Sequence, residues 1–156
     1  MRRAITHHMK GKWPETAAVA TVTLSFEDRH RRRIRLTDDT ETAFLLDLPT
    51  ATLLADGDGL ALEEGGFIRV RAAEEAVMEV TAEDSVHLAR IAWHIGNRHT
   101  PVEVLPDGRL RVGNDHVLEH MLEGLGARIE HAKAPFSPEP GAYSGGGHGH
   151  GHSHDH

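Results

Sequence analysis

The succession of periodicities between residues 77 and 131 constrains the fold of this chain more than any other feature. Val77-Met78-Glu79-Val80 is strand-like. Asp84 then stands as a helix cap ahead of an apolar stripe, Leu88, Ile91, Ala92 and Ile95, at helical spacing. Gly96-Asn97 closes it as a pair that tolerates left-handed backbone. Val102-Glu103-Val104-Leu105 and Arg109-Leu110-Arg111-Val112 read as strands joined by the turn Pro106-Asp107-Gly108. Asn114 or Asp115 caps a second helix, with Val117, Leu118, Met121, Leu122 and Leu125 apolar and Gly126 as its stop. Arg128-Ile129-Glu130-His131 returns as a strand.

The order β-α-β-β-α-β is the ferredoxin-like plan. The preceding residues follow another rule. Val19-Ala20-Thr21-Val22-Thr23-Leu24, Arg33-Ile34-Arg35-Leu36, Phe44-Leu45-Leu46-Asp47-Leu48, Leu60-Ala61-Leu62 and Phe67-Ile68-Arg69-Val70-Arg71 are short strand signals. Pro49, Asp56-Gly57-Asp58-Gly59 and Gly65-Gly66 punctuate them, which argues a small all-β domain. Asp56 and Asp58 faintly suggest a calcium loop, but the later ligand positions are missing and they read as a turn. Arg29, Arg31, Arg32, Arg33 and Arg35 read as a solvated hairpin face or a partner patch. Ala72-Ala73-Glu74-Glu75-Ala76 reads as the linker.

From Pro135 onward the chain is rich in Pro, Ser and Gly, with Phe136 and Tyr143 as anchors, and it ends in alternating histidines, His148, His150, His152, His154 and His156. Such a stretch cannot bury anything, so it reads as disordered. It presents neutral nitrogen ligands suited to Zn, Cu, Fe or Ni, or it is an expression tag. The expected architecture is α+β: an N-terminal all-β domain over 1–73, a ferredoxin-like βαββαβ domain over 74–134, and a flexible His-rich tail over 135–156.

Composition narrows the chemistry. With 14 His and no Cys, disulfide scaffolds, Fe–S clusters and Cys-based zinc sites are excluded, leaving imidazole and carboxylate ligands. A net charge of -7 argues against nucleic acid as a partner. The basic start Met1-Arg2-Arg3 is not followed by an apolar run of signal length, and no stretch is long enough to span a bilayer. A cytoplasmic protein without membrane contact is expected.

Among the body histidines, His116 falls in the first turn of the second helix. Exposed N–H groups there disfavour a further positive charge, and neutral imidazole is the metal-binding form. One imidazole is too few to hold a metal, and a two-fold dimer apposing this helix end supplies the second. The alternative is a histidine that packs or caps the turn. His116 and His120 are an i, i+4 pair that can chelate from one face, a weak signal in a His-rich chain. His87 and His94 read as the polar flank of the first helix, and His99 as a loop-orienting residue or a ligand. His131 stands where the last strand hands over to the tail and can bridge the two.

These residues resemble the UreE family of urease accessory proteins, the nickel metallochaperones of urease maturation. The likeness is carried by His94-Ile95-Gly96-Asn97-Arg98-His99-Thr100-Pro101 and by Asp115-His116-Val117-Leu118-Glu119-His120-Met121-Leu122. Leu125-Gly126, Phe136-Ser137-Pro138-Glu139-Pro140-Gly141-Ala142-Tyr143 and the His-rich end continue it. Asp47-Leu48-Pro49 and Leu54-Ala55-Asp56-Gly57-Asp58 extend it into the first half. The resemblance implies a β domain likened to a peptide-binding module and a ferredoxin-like metal-binding domain through which the chain forms homodimers. It implies His116 as the interface nickel ligand, one from each chain, with tail histidines adding capacity or completing the site. His131 is a candidate auxiliary ligand. Which tail histidine joins His116 stays open, because Tyr143 is not directly followed by His.

The function expected on this basis is a nickel-binding metallochaperone, not an enzyme. It collects Ni²⁺ and delivers it to the urease apoprotein complex with the accessory GTPase. Ligand type does not select Ni²⁺ over Zn²⁺ or Cu²⁺, so either can substitute. The alternative is a general Ni/Zn/Cu buffering or storage protein without a client. A metal-dependent hydrolase built on His116 and His120 would need a carboxylate beside them, and Glu119 is expected to point away from their face.

Overall fold

A computed structural model of the chain describes residues 1–141; the tail candidates His148, His150, His152, His154 and His156 lie outside the described residues. The chain forms two compact units, Met1–Ala72 and one beginning at Ala73. The expected α+β class is observed, each unit being built on its own sheet.

The first unit is a six-stranded sheet in the order β2-β6-β5-β1-β4-β3. Its strands are β1 (Arg2–His8), β2 (Ala18–Leu24), β3 (His30–Thr37), β4 (Ala43–Leu53), β5 (Gly59–Leu62) and β6 (Phe67–Ala72), with a one-turn helix α1 (Phe26–Arg29) before β3. Alternate residues of these strands, among them Val22, Leu24, Phe44, Leu46, Leu60, Ile68 and Val70, form an aliphatic core.

The basic N-terminus, which carries no strand signal, is the inner strand β1, parallel to β4 and antiparallel to β5. Its arginines are structural: Arg2 meets Asp38 at 2.8 Å, and Arg3 meets Asp47 at 2.7 Å and Glu63 at 2.8 Å. Burial opposes the charge on Asp38. The Arg2 guanidinium, the Thr40 hydroxyl and the N–H groups of Thr42 and Thr40 nonetheless hold its carboxyl well below the usual carboxylate range.

Two local expectations change here. Arg29 is not solvated: it is 1% exposed and donates to the carbonyls of Leu24 and Leu54. Pro49 does not end its strand. β1 pairs with β4 only at 44–46, and the β3/β4 register shifts between Arg31 and Arg33, so the missing N–H of Pro49 falls outside regular pairing.

The second unit has strands β7 (Glu74–Thr81), β8 (Glu103–Val104), β9 (Leu110–Gly113) and β10 (Arg128–Pro135), with helices α2 (Ser85–Asn97) and α3 (His116–Gly124). The sheet order is β10-β7-β9-β8 with every pair antiparallel, the ferredoxin-like arrangement. The expected linker is mostly strand, because β6 ends at Ala72 and β7 begins at Glu74.

Met78, Val80, Leu110 and Val112 of the sheet pack with Ile91 and Ile95 of α2 and with Leu118 and Leu122 of α3. Glu79 and Arg111, which alternate with these residues, face the other way. Arg111 reaches Glu79 at 2.7 Å and Glu103 at 3.3 Å. Arg111 and then Arg109 hold the Glu79 carboxyl below its ordinary range, against its partial burial.

α2 and α3 end alike. After α2, the His99 N–H bonds the Gly96 carbonyl and the Thr100 N–H the Ile95 carbonyl; after α3, Gly126 and Ala127 repeat this on Glu123 and Leu122. This is the Schellman closure, which needs one left-handed residue. In α3 that residue is Gly126 (φ 85), as the sequence indicates. In α2 it is His99 (φ 59), because Gly96 and Asn97 remain helical.

Candidate metal site

α3 carries the donors. Asp115 caps it by accepting the Leu118 N–H at 2.9 Å, which makes His116 its first residue. Leu118 and Leu122 face the core, so the opposite face looks outward. His116, Glu119, His120 and Glu123 share that face at i, i+3, i+4 and i+7, and with Val117 they line an open hollow of about 470 Å³. Val117, expected in the apolar stripe, is 67% exposed beside His116.

Glu119 therefore does not point away from His116 and His120. Residues three apart on a helix are neighbours, as are residues four apart, and that spacing was already visible in the sequence. Glu119 also reaches across to β10, where its Oε2 lies 2.9 Å from His131 Nε2. With Nε2–H donating to the carboxylate, Nδ1 of His131 keeps a lone pair free to accept a metal. The structure thus brings His131 to the carboxylate that lines the His116 hollow.

The other histidines divide by what their rings touch. His87 Nδ1 accepts the Glu83 N–H at 2.9 Å, and its Nε2 lies 2.8 Å from the Leu125 carbonyl oxygen, where an N–H donor fits. Both ring nitrogens are engaged, and His87 ties the start of α2 to the end of α3. Its partner Leu125 is remote in sequence, so no local pattern announces this role. His94 stacks edge-on against Trp93, with ring centroids 5.0 Å apart. His99 is exposed at the helix end.

Among the described residues, no three His, Asp or Glu side chains gather closely enough to hold a metal ion. The outer face of α3 offers borderline nitrogen and hard oxygen donors side by side, a set suited to first-row divalent ions.

The domain family described as UreE urease accessory protein, N-terminal domain, matches residues 2–73, and the corresponding C-terminal domain family matches residues 75–156. The chain belongs to the UreE family. Relatives named urease accessory protein UreE include one from Bradyrhizobium sp. (strain BTAi1), 50% identical over 133 residues, covering 85% of this chain and 64% of the relative. One from Chelativorans sp. (strain BNC1) is 53% identical over 126 residues, covering 81% and 79%. One from Rhodobacter capsulatus is 47% identical over 146 residues, covering 94% and 89%. Against two Bradyrhizobium relatives the matched part is 64% and 62% of their length, under two thirds. The family is one of accessory proteins to an enzyme, not of the enzyme itself.

Proposed function

We propose that this protein is a nickel carrier of urease maturation, collecting Ni²⁺ and delivering it to the urease apoprotein. The supporting observation is the outward donor face of α3, with His116 at its head, in a chain of the urease accessory family. Nickel is cargo here, so a site left incomplete by one chain is an advantage: a full cage would bind it too firmly to release. Two copies meeting about a two-fold axis at the second unit bring His116 of each together. His131, positioned by Glu119, and the tail residues His148, His150, His152, His154 and His156 supply further donors. Zn²⁺ and Cu²⁺ compete at such ligands, so delivery to the right client rests on docking, to the urease complex and its accessory GTPase, in the cytoplasm. No helix among the described residues is long and apolar enough to cross a membrane.

The test is a nickel titration of the full chain in which the five tail histidines are Ala. Saturation at one ion per two chains, abolished by His116→Ala, supports the shared site. Tight binding that survives both changes overturns it. Urease activity in cells lacking the protein, with and without added nickel, separates a dedicated carrier from a general metal buffer.

A further inference from the structure

We infer that the outward face of α2 is a contact surface for a second copy of this chain, the two α2 helices packing antiparallel about Ile91. The inference is independent of the nickel reading, because this contact holds no ion.

α2 carries a second apolar stripe besides the one that folds it. Ile91 and Ile95 are buried in the core. On the opposite side Val86 is 59% exposed and Trp93 62% exposed, and Ala89 and Gly96 are exposed with them. One exposed apolar residue is ordinary, but four in register on one helix face form a patch. Val86, Ala89, Trp93 and Gly96 follow one another at steps of three, four and three residues, the a/d spacing of a coiled-coil seam. Large and small residues alternate along it, which leaves a hole beside each knob. A Cβ at Gly96 would meet nothing within 4 Å, so the hole there is open.

The occupant follows from turning the helix end for end about Ile91. Val86 then stands opposite Gly96 of the other copy, and Ala89 opposite Trp93 of the other copy. Every large residue meets a small one. Asp84 comes level with Arg98 of the other copy. α2 itself contains no Asp or Glu, and its exposed Arg90 and the Arg98 that follows it make no ion pair among the described residues. Asp84 Oδ1 accepts the His87 N–H at 2.8 Å, which leaves Oδ2 to face an outside cation. A parallel pair would instead set Trp93 on Trp93 and Asp84 on Asp84. A two-fold axis generates the antiparallel pairing, with the same patch used on both sides.

This contact is not the one that joins two His116 residues. His87 near the start of α2 reaches Leu125 just past the end of α3, so the two helices run antiparallel and His116 lies towards the C-terminal end of α2. In a pair centred on Ile91 the two C-terminal ends point opposite ways. Gly96 is five residues from Ile91, which sets the two copies of Gly96 about 15 Å apart along the pair. Two His116 rings separated on that scale cannot share an ion through bonds of about 2 Å. One helix against its twin is a small contact beside the roughly 1,600 Å² of a standard interface, so the association depends on concentration.

The experiment uses the full chain with a chelator present, in the native form and with His116→Ala. Sedimentation at rising protein concentration reads association, and thermal unfolding reads folding. Both forms should associate. Trp93→Ala should weaken that association about a hundred-fold, since each contact loses the ring twice. Gly96→Leu should do the same while the thermal midpoint holds or rises, because the position is helical and open. The chain has no Cys, so a single introduced thiol reports the register. A short thiol cross-linker should join two chains at Arg90→Cys, beside the axis, and not at Asn97→Cys, where the copies lie about 18 Å apart along the pair. Unchanged association in Trp93→Ala and Gly96→Leu overturns the inference, as does equal cross-linking at the two positions. A chain that stays monomeric with Trp93 intact overturns it too, and leaves this face to a helix of a different protein.

Discussion

α2 and α3 are built from the same parts and do opposite work with their histidines. Each has an aspartate cap, Asp84 or Asp115, and each buries two aliphatic residues four apart, Ile91 and Ile95 or Leu118 and Leu122. Each closes in a Schellman turn. On α2, His87 is consumed by structure. On α3, His116 and His120 face an open hollow with two glutamates. Residue type does not decide which imidazoles are available to a metal. Their partners do: a ring whose two nitrogens already bind backbone has no lone pair to give one.

The largest test of this likeness is in the core. Ile95→Ala and Leu122→Ala should each cost about 3 kcal/mol in urea unfolding. A much smaller cost for one would show that its helix packs loosely. His87→Ala should cost about 2 kcal/mol, because it leaves the Glu83 N–H and the Leu125 carbonyl without their partner, yet the folded protein should bind nickel as before. His116→Ala should do the reverse, changing stability by less than about 0.5 kcal/mol and removing the shared site. A nickel defect in His87→Ala at a temperature where it is fully folded would break the contrast.

The sheet face away from the helices sharpens it through pH. The folded Glu79 carboxyl titrates below its ordinary 4.5, so its stabilisation is fully present above that value and fades as pH falls through the folded value. Thermal midpoints of the native protein and Glu79→Gln should differ at neutral pH and converge in acid. A gap that persisted at low pH would mean that Arg109 and Arg111 stabilise through packing alone. The smallest effects lie at the helix ends, where Gly126→Ala should destabilise by about 1 kcal/mol because alanine resists a φ of 85.

Much of the second unit was legible because its signals are local. Caps, apolar stripes and the Pro106-Asp107-Gly108 turn act within a few residues, and they give the element order directly. Glu119 was legible too, since i+3 spacing alone puts it beside His116. The first unit was less so. β1 carries no strand signal because Arg2 and Arg3 are adjacent rather than alternating, and the acids that pair them, Asp38, Asp47 and Glu63, lie far along the chain. Arg29 looks solvated because the carbonyls it satisfies, Leu24 and Leu54, come from separate parts of the chain.

By itself the sequence determined the α+β class, the ferredoxin-like order of the second unit, the caps at Asp84 and Asp115, and His116 as the head of a donor-bearing helix. Each of these follows from spacing within one or two helical turns. Only the tertiary structure decided that His87 is a clamp, that Glu119 holds His131, and that the chain after β10 crosses to Val102, whose carbonyl accepts the Glu139 N–H. These depend on pairings between residues distant in sequence, which become neighbours only when the core closes and the sheet register is set.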